Sequence, residues 1–127
     1  MRHPNFMLLY VDSPKASGTF YADLLGREPV EASPTFVLFA LDSGLMFGLW
    51  SRHTVEPAAT AAGGGAELAF RVADPEIDTT YADWKARGLT ILQEPTILDF
   101  GRTFVALDPD GHRLRVFAPA EETAAKP

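Results

Sequence analysis

The chain has 127 residues, with 11 Lys+Arg against 17 Asp+Glu for a formal net charge of −6, and it contains no cysteine. Its length suits one compact domain or two half-domains, and 46% hydrophobic with 22% charged residues is the composition of a folded soluble protein. The acidic balance excludes a general binder of nucleic acid or anionic lipid, and the missing cysteines exclude a disulfide scaffold, a thiolate metal site and a cysteine nucleophile.

In chain order, Phe6–Val11 reads as a strand. Ser13-Pro14 supplies a cap followed by proline at the first helical position, and the helix carries Phe20 and Leu24 on one face before stopping at Gly26. Strands are predicted near Pro29–Ala32, Phe36–Leu41 and Leu45–Trp50, the last two joined by the Asp42-Ser43-Gly44 turn. Glu56 to Ala66 is rich in Pro, Ala and Gly and reads as a flexible connection. Glu67–Val72 is the next strand, and Asp74-Pro75 opens a helix bearing Ile77, Tyr81 and Trp84 that ends at Gly88. Strands near Leu89–Gln93, Arg102–Leu107 and Arg113–Ala118 follow, and residues 121–127 form a polar tail expected to be disordered. No apolar run approaches the ~20 residues of a membrane span, and the N-terminus shows no signal pattern, so a cytoplasmic location with no membrane partner is expected.

The chain repeats itself. Leu9-Tyr10-Val11-Asp12-Ser13-Pro14 with Tyr21-Ala22-Asp23 returns as Phe70-Arg71-Val72-Ala73-Asp74-Pro75 with Tyr81-Ala82-Asp83. Ala40-Leu41-Asp42-Ser43-Gly44 returns as Ala106-Leu107-Asp108-Pro109-Asp110-Gly111. The expected fold is therefore α+β: two tandem βαβββ modules, 5–55 and 66–119, with mixed sheets enclosing a cup in one domain over 1–120. Strand residues of one parity pack under the helices and those of the other line the cup. Two ferredoxin-like modules without a pocket are the alternative.

The repeat, Val11-Asp12-Ser13-Pro14, and the ending Asp108-Pro109-Asp110-Gly111-His112 with Leu114-Arg115-Val116 resemble the vicinal oxygen chelate superfamily, which includes glyoxalases, extradiol dioxygenases and bleomycin-resistance proteins. A narrower resemblance, to phenazine antibiotic resistance proteins, is carried by Pro34-Thr35-Phe36-Val37, Leu45-Met46-Phe47-Gly48-Leu49-Trp50, Glu94-Pro95 and Asp99-Phe100-Gly101-Arg102-Thr103-Phe104. The superfamily resemblance implies four metal-ligand positions, on the first, fourth, fifth and last strands, and these fall on Phe6, Gly48, Glu67 and Arg115. Only Glu67 offers a donor of the usual kind, and Arg115 places a permanent cation where a metal ion would sit. No metal and no other cofactor is expected, and Glu67 is expected to pair with Arg115. Both lying at a solvated rim is the alternative.

Parity anchored on those positions sends Phe6, Leu8, Tyr10, Met46, Trp50, Phe36 and Leu38 to the cup. A Pro109-Asp110 turn would set Phe104 opposite Arg115 and add Arg102, Arg113 and Phe117. The other parity, Leu9, Val11, Val37, Phe39, Phe70, Val72, Leu114 and Val116, supplies the core. The ligand-binding set is then Phe6, Phe36, Trp50, Glu67, Phe104 and Arg115. Aromatic walls suit a planar aromatic ligand, and guanidinium groups beside them offer paired hydrogen bonds to a carboxylate. No nucleophile or acid–base pair is evident, so no catalytic residue is assigned. The expected function is metal-independent sequestration of a planar aromatic antibiotic or metabolite by a homodimer. The alternatives are a metal-dependent glyoxalase- or dioxygenase-type enzyme and a partner-binding module whose aromatic face is an interface.

Overall fold

The structure, a computed structural model, describes residues 3–120. The tail expected at 121–127 lies outside the described residues. The chain divides at Ala61–Ala62 into two compact units. Each has the order strand, helix, three strands, and each forms a four-stranded mixed sheet, giving the expected α+β class.

The first unit comprises β1 (Phe6–Val11), α1 (Pro14–Leu25), β2 (Glu31–Ala32), β3 (Phe36–Ala40) and β4 (Met46–Ser51). The sheet order is β1-β4-β3-β2, with β1 parallel to β4 and the other pairs antiparallel. The parallel pair needs a crossover, which α1 begins. Ser13 caps this helix by accepting a hydrogen bond from the Ala16 N–H, Pro14 stands in its first turn, and Gly26 closes it in the left-handed conformation at φ 65°. The buried stripe of α1 is Pro14, Ser17, Gly18 and Tyr21, whereas Phe20 and Leu24 are only part-buried. Small residues win this face because the helix lies close on β3: a β-carbon on Gly18 would stand 3.3 Å from Val37. Beneath it Tyr21 meets Phe47 edge-on, and Phe47 stacks with Phe39.

The second unit comprises β5 (Glu67–Arg71), α2 (Asp74–Ala86), β6 (Thr90–Leu98), β7 (Gly101–Leu107) and β8 (Arg113–Pro119). Its order is β5-β8-β7-β6, with β5 parallel to β8. Ala73 precedes α2, and the Glu76 carboxylate reaches back to accept from the Ala73 N–H at 2.9 Å. Ile77 and Trp84 are buried on the sheet, where Phe70 and Phe104 each meet Trp84 edge-on and Tyr81 meets Phe104 edge-on. Arg102 binds α2 to β7, donating to the carboxylates of Asp74 and Asp78 and to the Asp74 carbonyl.

One expected register is corrected. Phe104 pairs with Val116, and Val105 pairs with Arg115. The connection is not a two-residue turn. Asp108 N–H donates to the His112 carbonyl, Gly111 sits at φ 85°, and the Asp108 carboxylate accepts from the N–H groups of Asp110 and His112. A three-residue loop with a left-handed glycine at its end moves the pairing by one residue relative to a two-residue turn. Phe104 and Arg102 are thereby carried to the α2 side of the sheet, and Phe104 is completely buried there. Among the described residues, no helix is long and apolar enough to cross a membrane.

Candidate functional site

Within the first unit, alternation along the strands sets Leu9, Val11, Val37, Phe39, Phe47 and Leu49 under α1, all of them buried. The strand residues of the other parity form the face away from the helix. Register lays them in rows: Tyr10, Trp50 and Phe36 side by side on β1, β4 and β3, then Leu8, Gly48 and Leu38, then Phe6, Met46 and Ala40. Trp50 is edge-on to Tyr10 with ring centroids 6.5 Å apart and edge-on to Phe36 at 6.1 Å. Phe6, Leu8 and Tyr10 are 52%, 38% and 40% exposed. Three aromatic side chains therefore stand in one row on a sheet whose core lies on its opposite face.

Gly48 makes room for this arrangement. A β-carbon there would stand 2.7 Å from Leu8 Cδ2 and 3.0 Å from Phe36 Cζ, so neither neighbour keeps its place if residue 48 has a side chain.

In the second unit the corresponding face carries Glu67, Ala69 and Arg71 from β5 and Arg113, Arg115 and Phe117 from β8. The expected Glu67–Arg115 pair forms side-on: Arg115 Nε donates to Glu67 Oε1 at 2.7 Å and Nη2 to Oε2 at 2.9 Å. Arg115 Nη1 also donates to Thr103 Oγ1 at 3.1 Å, and that hydroxyl donates to the Val116 carbonyl. Thr103 is buried, whereas Arg115 and Glu67 keep 17% and 29% of their side-chain surface. The pair is thus half sheltered, neither fully buried nor at a fully solvated rim. The hydrogen bond from Arg115 lowers the Glu67 pKa from its ordinary value, with the Arg115 and Arg113 charges adding to the effect against partial burial. Reciprocally, the bond to Glu67 raises the pKa of Arg115. Arg113 Nη1 lies 3.8 Å from Glu67 Oε2. The Arg115 guanidinium sits 5.7 Å from the centre of the Phe100 ring, which meets Phe117 edge-on.

The sequence-predicted residues are distributed accordingly. Phe6, Phe36 and Trp50 share the face of the first sheet away from its helix, and Glu67 and Arg115 meet on the corresponding face of the second. Phe104 belongs to the core under α2. Tyr10 completes the aromatic row without having been placed in the expected ligand-binding set, although its parity already put it on the right face. Thr103 was missed, because a threonine in a strand carries no mark that it will orient an arginine.

The chemistry of the donor set does not fit a divalent metal. Of the four positions, Phe6 and Gly48 have no ligating atom, Arg115 is cationic, and Glu67 has both oxygens engaged by Arg115. Among the described residues, no group of three His, Cys, Asp or Glu side chains is placed to hold a metal ion. His53 instead bonds Asp12 through Nε2 at 2.7 Å and lowers the Asp12 pKa.

Comparison with known proteins agrees with this architecture. The chain is 32% identical over 116 residues to the phenazine antibiotic resistance protein EhpR of Enterobacter agglomerans, covering 89% of each chain. Protein ATC0852 from Agrobacterium tumefaciens, known from a solution NMR structure, is 60% identical with a TM-score of 0.87, the match covering 94% of this chain and 99% of that one. A glyoxalase/bleomycin resistance protein/dioxygenase from Nocardioides, known from a crystal structure, is 26% identical with a TM-score of 0.80, covering 100% and 88%. Residues 3–116 match the Glyoxalase/Bleomycin resistance protein/Dioxygenase superfamily. The chain belongs to that superfamily.

Proposed function

We propose that the protein binds a planar aromatic molecule of the phenazine kind and sequesters it unchanged, without a metal. The observation that carries this reading is the row Tyr10, Trp50, Phe36, held in register across three strands on the face the core does not use. Stacking on such rings adds about 0.5–1.5 kcal/mol per pair beyond the area buried. Similarity to a protein named for phenazine antibiotic resistance supports the ligand class. The non-fitting donor set supports binding over metal-assisted turnover.

The proposal extends to a homodimer. β1 is an edge strand of its sheet and carries the exposed Phe6 and Leu8, which suit burial against a second copy. Light scattering coupled to size exclusion gives a two-chain mass in this reading and a one-chain mass if it is wrong.

Binding is tested by titrating phenazine while following tryptophan emission. There are two tryptophans, Trp50 on the aromatic row and Trp84 buried under α2. Quenching is expected in the native protein and is expected to vanish in Trp50→Phe, which retains Trp84 as its reporter. Unchanged emission in the native protein, or conversion of the recovered phenazine to another compound, overturns the proposal.

A further inference from the structure

The helix side of the first sheet, opposite the aromatic row, carries a groove of about 1220 Å³. It runs along α1, with Lys15, Gly18 and Ala22 on one wall and Ala32, Ser33 and Pro34 on the other. Every residue lining it belongs to the first unit. Gly18 and Ala22 project little or nothing from the helix, so a bound chain can come close to the backbone there. β2 is an edge strand, paired with β3 on one side only, so its other side offers backbone donors and acceptors.

The charges at the two ends of α1 are the reverse of those that suit its dipole, which favours an anion at the N-terminus and a cation at the C-terminus. No acidic residue stands in the first turn and no basic residue in the last; Lys15 occupies the former and Asp23 the latter. By contrast, α2 has Asp74 and Glu76 in its first turn and Lys85 in its last. The flanking charges of α1 are engaged elsewhere, Asp12 with His53 and Arg52, and Arg27 with Asp42 and the Ala40 carbonyl. Among the described residues, neither Lys15 nor Glu28, which lines the far end of the groove, has an ion-pair partner. Ser51, beside the start of α1 and 6% exposed, also lines the groove. Its hydroxyl accepts from the His53 N–H, and its own proton goes to no described acceptor. The groove therefore calls for an anion at one end and a cation at the other.

We propose that this groove binds a short extended peptide of small residues with free termini, its carboxylate at Lys15 and Ser51 and its ammonium at Glu28 and Asp23. From Lys15 to Gly26 the helix runs about 16 Å at its usual rise per residue. A single amino acid does not span that length, and an extended chain of about five residues does. The small side chains of Gly18, Ala22 and Ala32 leave room for a main chain but offer no ring to stack on. The groove shares no residue with the row Tyr10, Trp50 and Phe36, so the two sites stand or fall separately.

The test titrates isotope-labelled protein with penta-alanine and follows backbone amide shifts by NMR. Shifts are expected at Gly18, Thr19, Ala22 and Ser33, with the Trp50 indole unmoved. Blocking either end of the peptide, by acetylation or by amidation, is expected to weaken binding about two- to fivefold, the scale of one solvated ion pair. Lys15→Gln is expected to erase the penalty of amidation and Glu28→Gln that of acetylation, each leaving the other penalty in place. Both side chains are exposed, so both variants are expected to fold as the native protein does. Groove amides unmoved at millimolar peptide, equal affinity for the free and doubly blocked peptides, or penalties unaltered in both variants overturn the proposal. Spermidine, an extended polycation, moving the same amides as tightly as penta-alanine also overturns it.

Discussion

The ring of Phe36 rests directly over Gly48, its Cζ 3.0 Å from the point a β-carbon would occupy. Gly48→Ala must displace this ring as well as the end of Leu8. Because Leu8 presents only the end of a flexible, 38% exposed side chain and Phe36 need yield only slightly, the expected cost is small, below about 1 kcal/mol, measured by urea unfolding. Affinity for phenazine is expected to fall in the same variant, because the added methyl shifts the Phe36 ring against Trp50. A variant with native affinity would separate the aromatic row from binding.

Phe104 is predicted to matter for stability and not for ligand contact. It is fully buried and meets both Tyr81 and Trp84 edge-on. Phe104→Ala is expected to cost about 3–5 kcal/mol in denaturant unfolding. Below its unfolding midpoint, the variant should keep native phenazine affinity and show altered Trp84 emission.

The pair Glu67–Arg115 makes a prediction in pH. Folded Glu67 has a pKa below its ordinary 4.5, so it holds a proton less firmly than in the unfolded chain. Its contribution to stability is full above the ordinary carboxylate range and is lost as pH falls through the folded value. Glu67→Gln is therefore expected to be less stable than the native protein at neutral pH. Its thermal midpoint should decline less steeply on acidification from about pH 5 to pH 3, as read by circular dichroism. Parallel declines in the two proteins would contradict the direction of the shift.

The β7–β8 loop depends on one side chain. The Asp108 carboxylate accepts from the N–H groups of both Asp110 and His112. Asp108→Ala leaves those groups without this acceptor, at an expected cost of about 1–3 kcal/mol. Amide exchange should accelerate first at His112 and Asp110, and later along the β7–β8 ladder.

Much of the fold is written in local signals. Ser13-Pro14 and Gly26 bound α1 because cap chemistry and a left-handed glycine act on neighbouring backbone alone. Alternation identifies the core faces of β1, β3 and β8, since it follows from strand geometry. What escapes is set by pairing at a distance. β6 runs to Leu98, through Pro95, because an edge strand with register shifts tolerates a missing N–H. Phe104 and Arg102 change faces because a loop of three residues and a turn of two look alike in an Asp-Pro-Asp-Gly string. The Glu67–Arg115 pair is accessible to sequence reasoning because the superfamily resemblance implies ligand positions at both residues, which puts them on one face. Thr103 is not, because its hydroxyl gains significance only from the register of β8.

The Asp108–His112 loop thus governs more than the closing of a hairpin. β8 is paired on both sides, to β5 and to β7, so a slip of one residue would invert its entire side-chain pattern. Arg115 would then be driven beneath Trp84, and Leu114 and Val116 would be wetted. A single-residue deletion in this loop accordingly sets the β7 register against a β8 already pinned by β5, so it strains the hairpin without altering any amino acid of the strands.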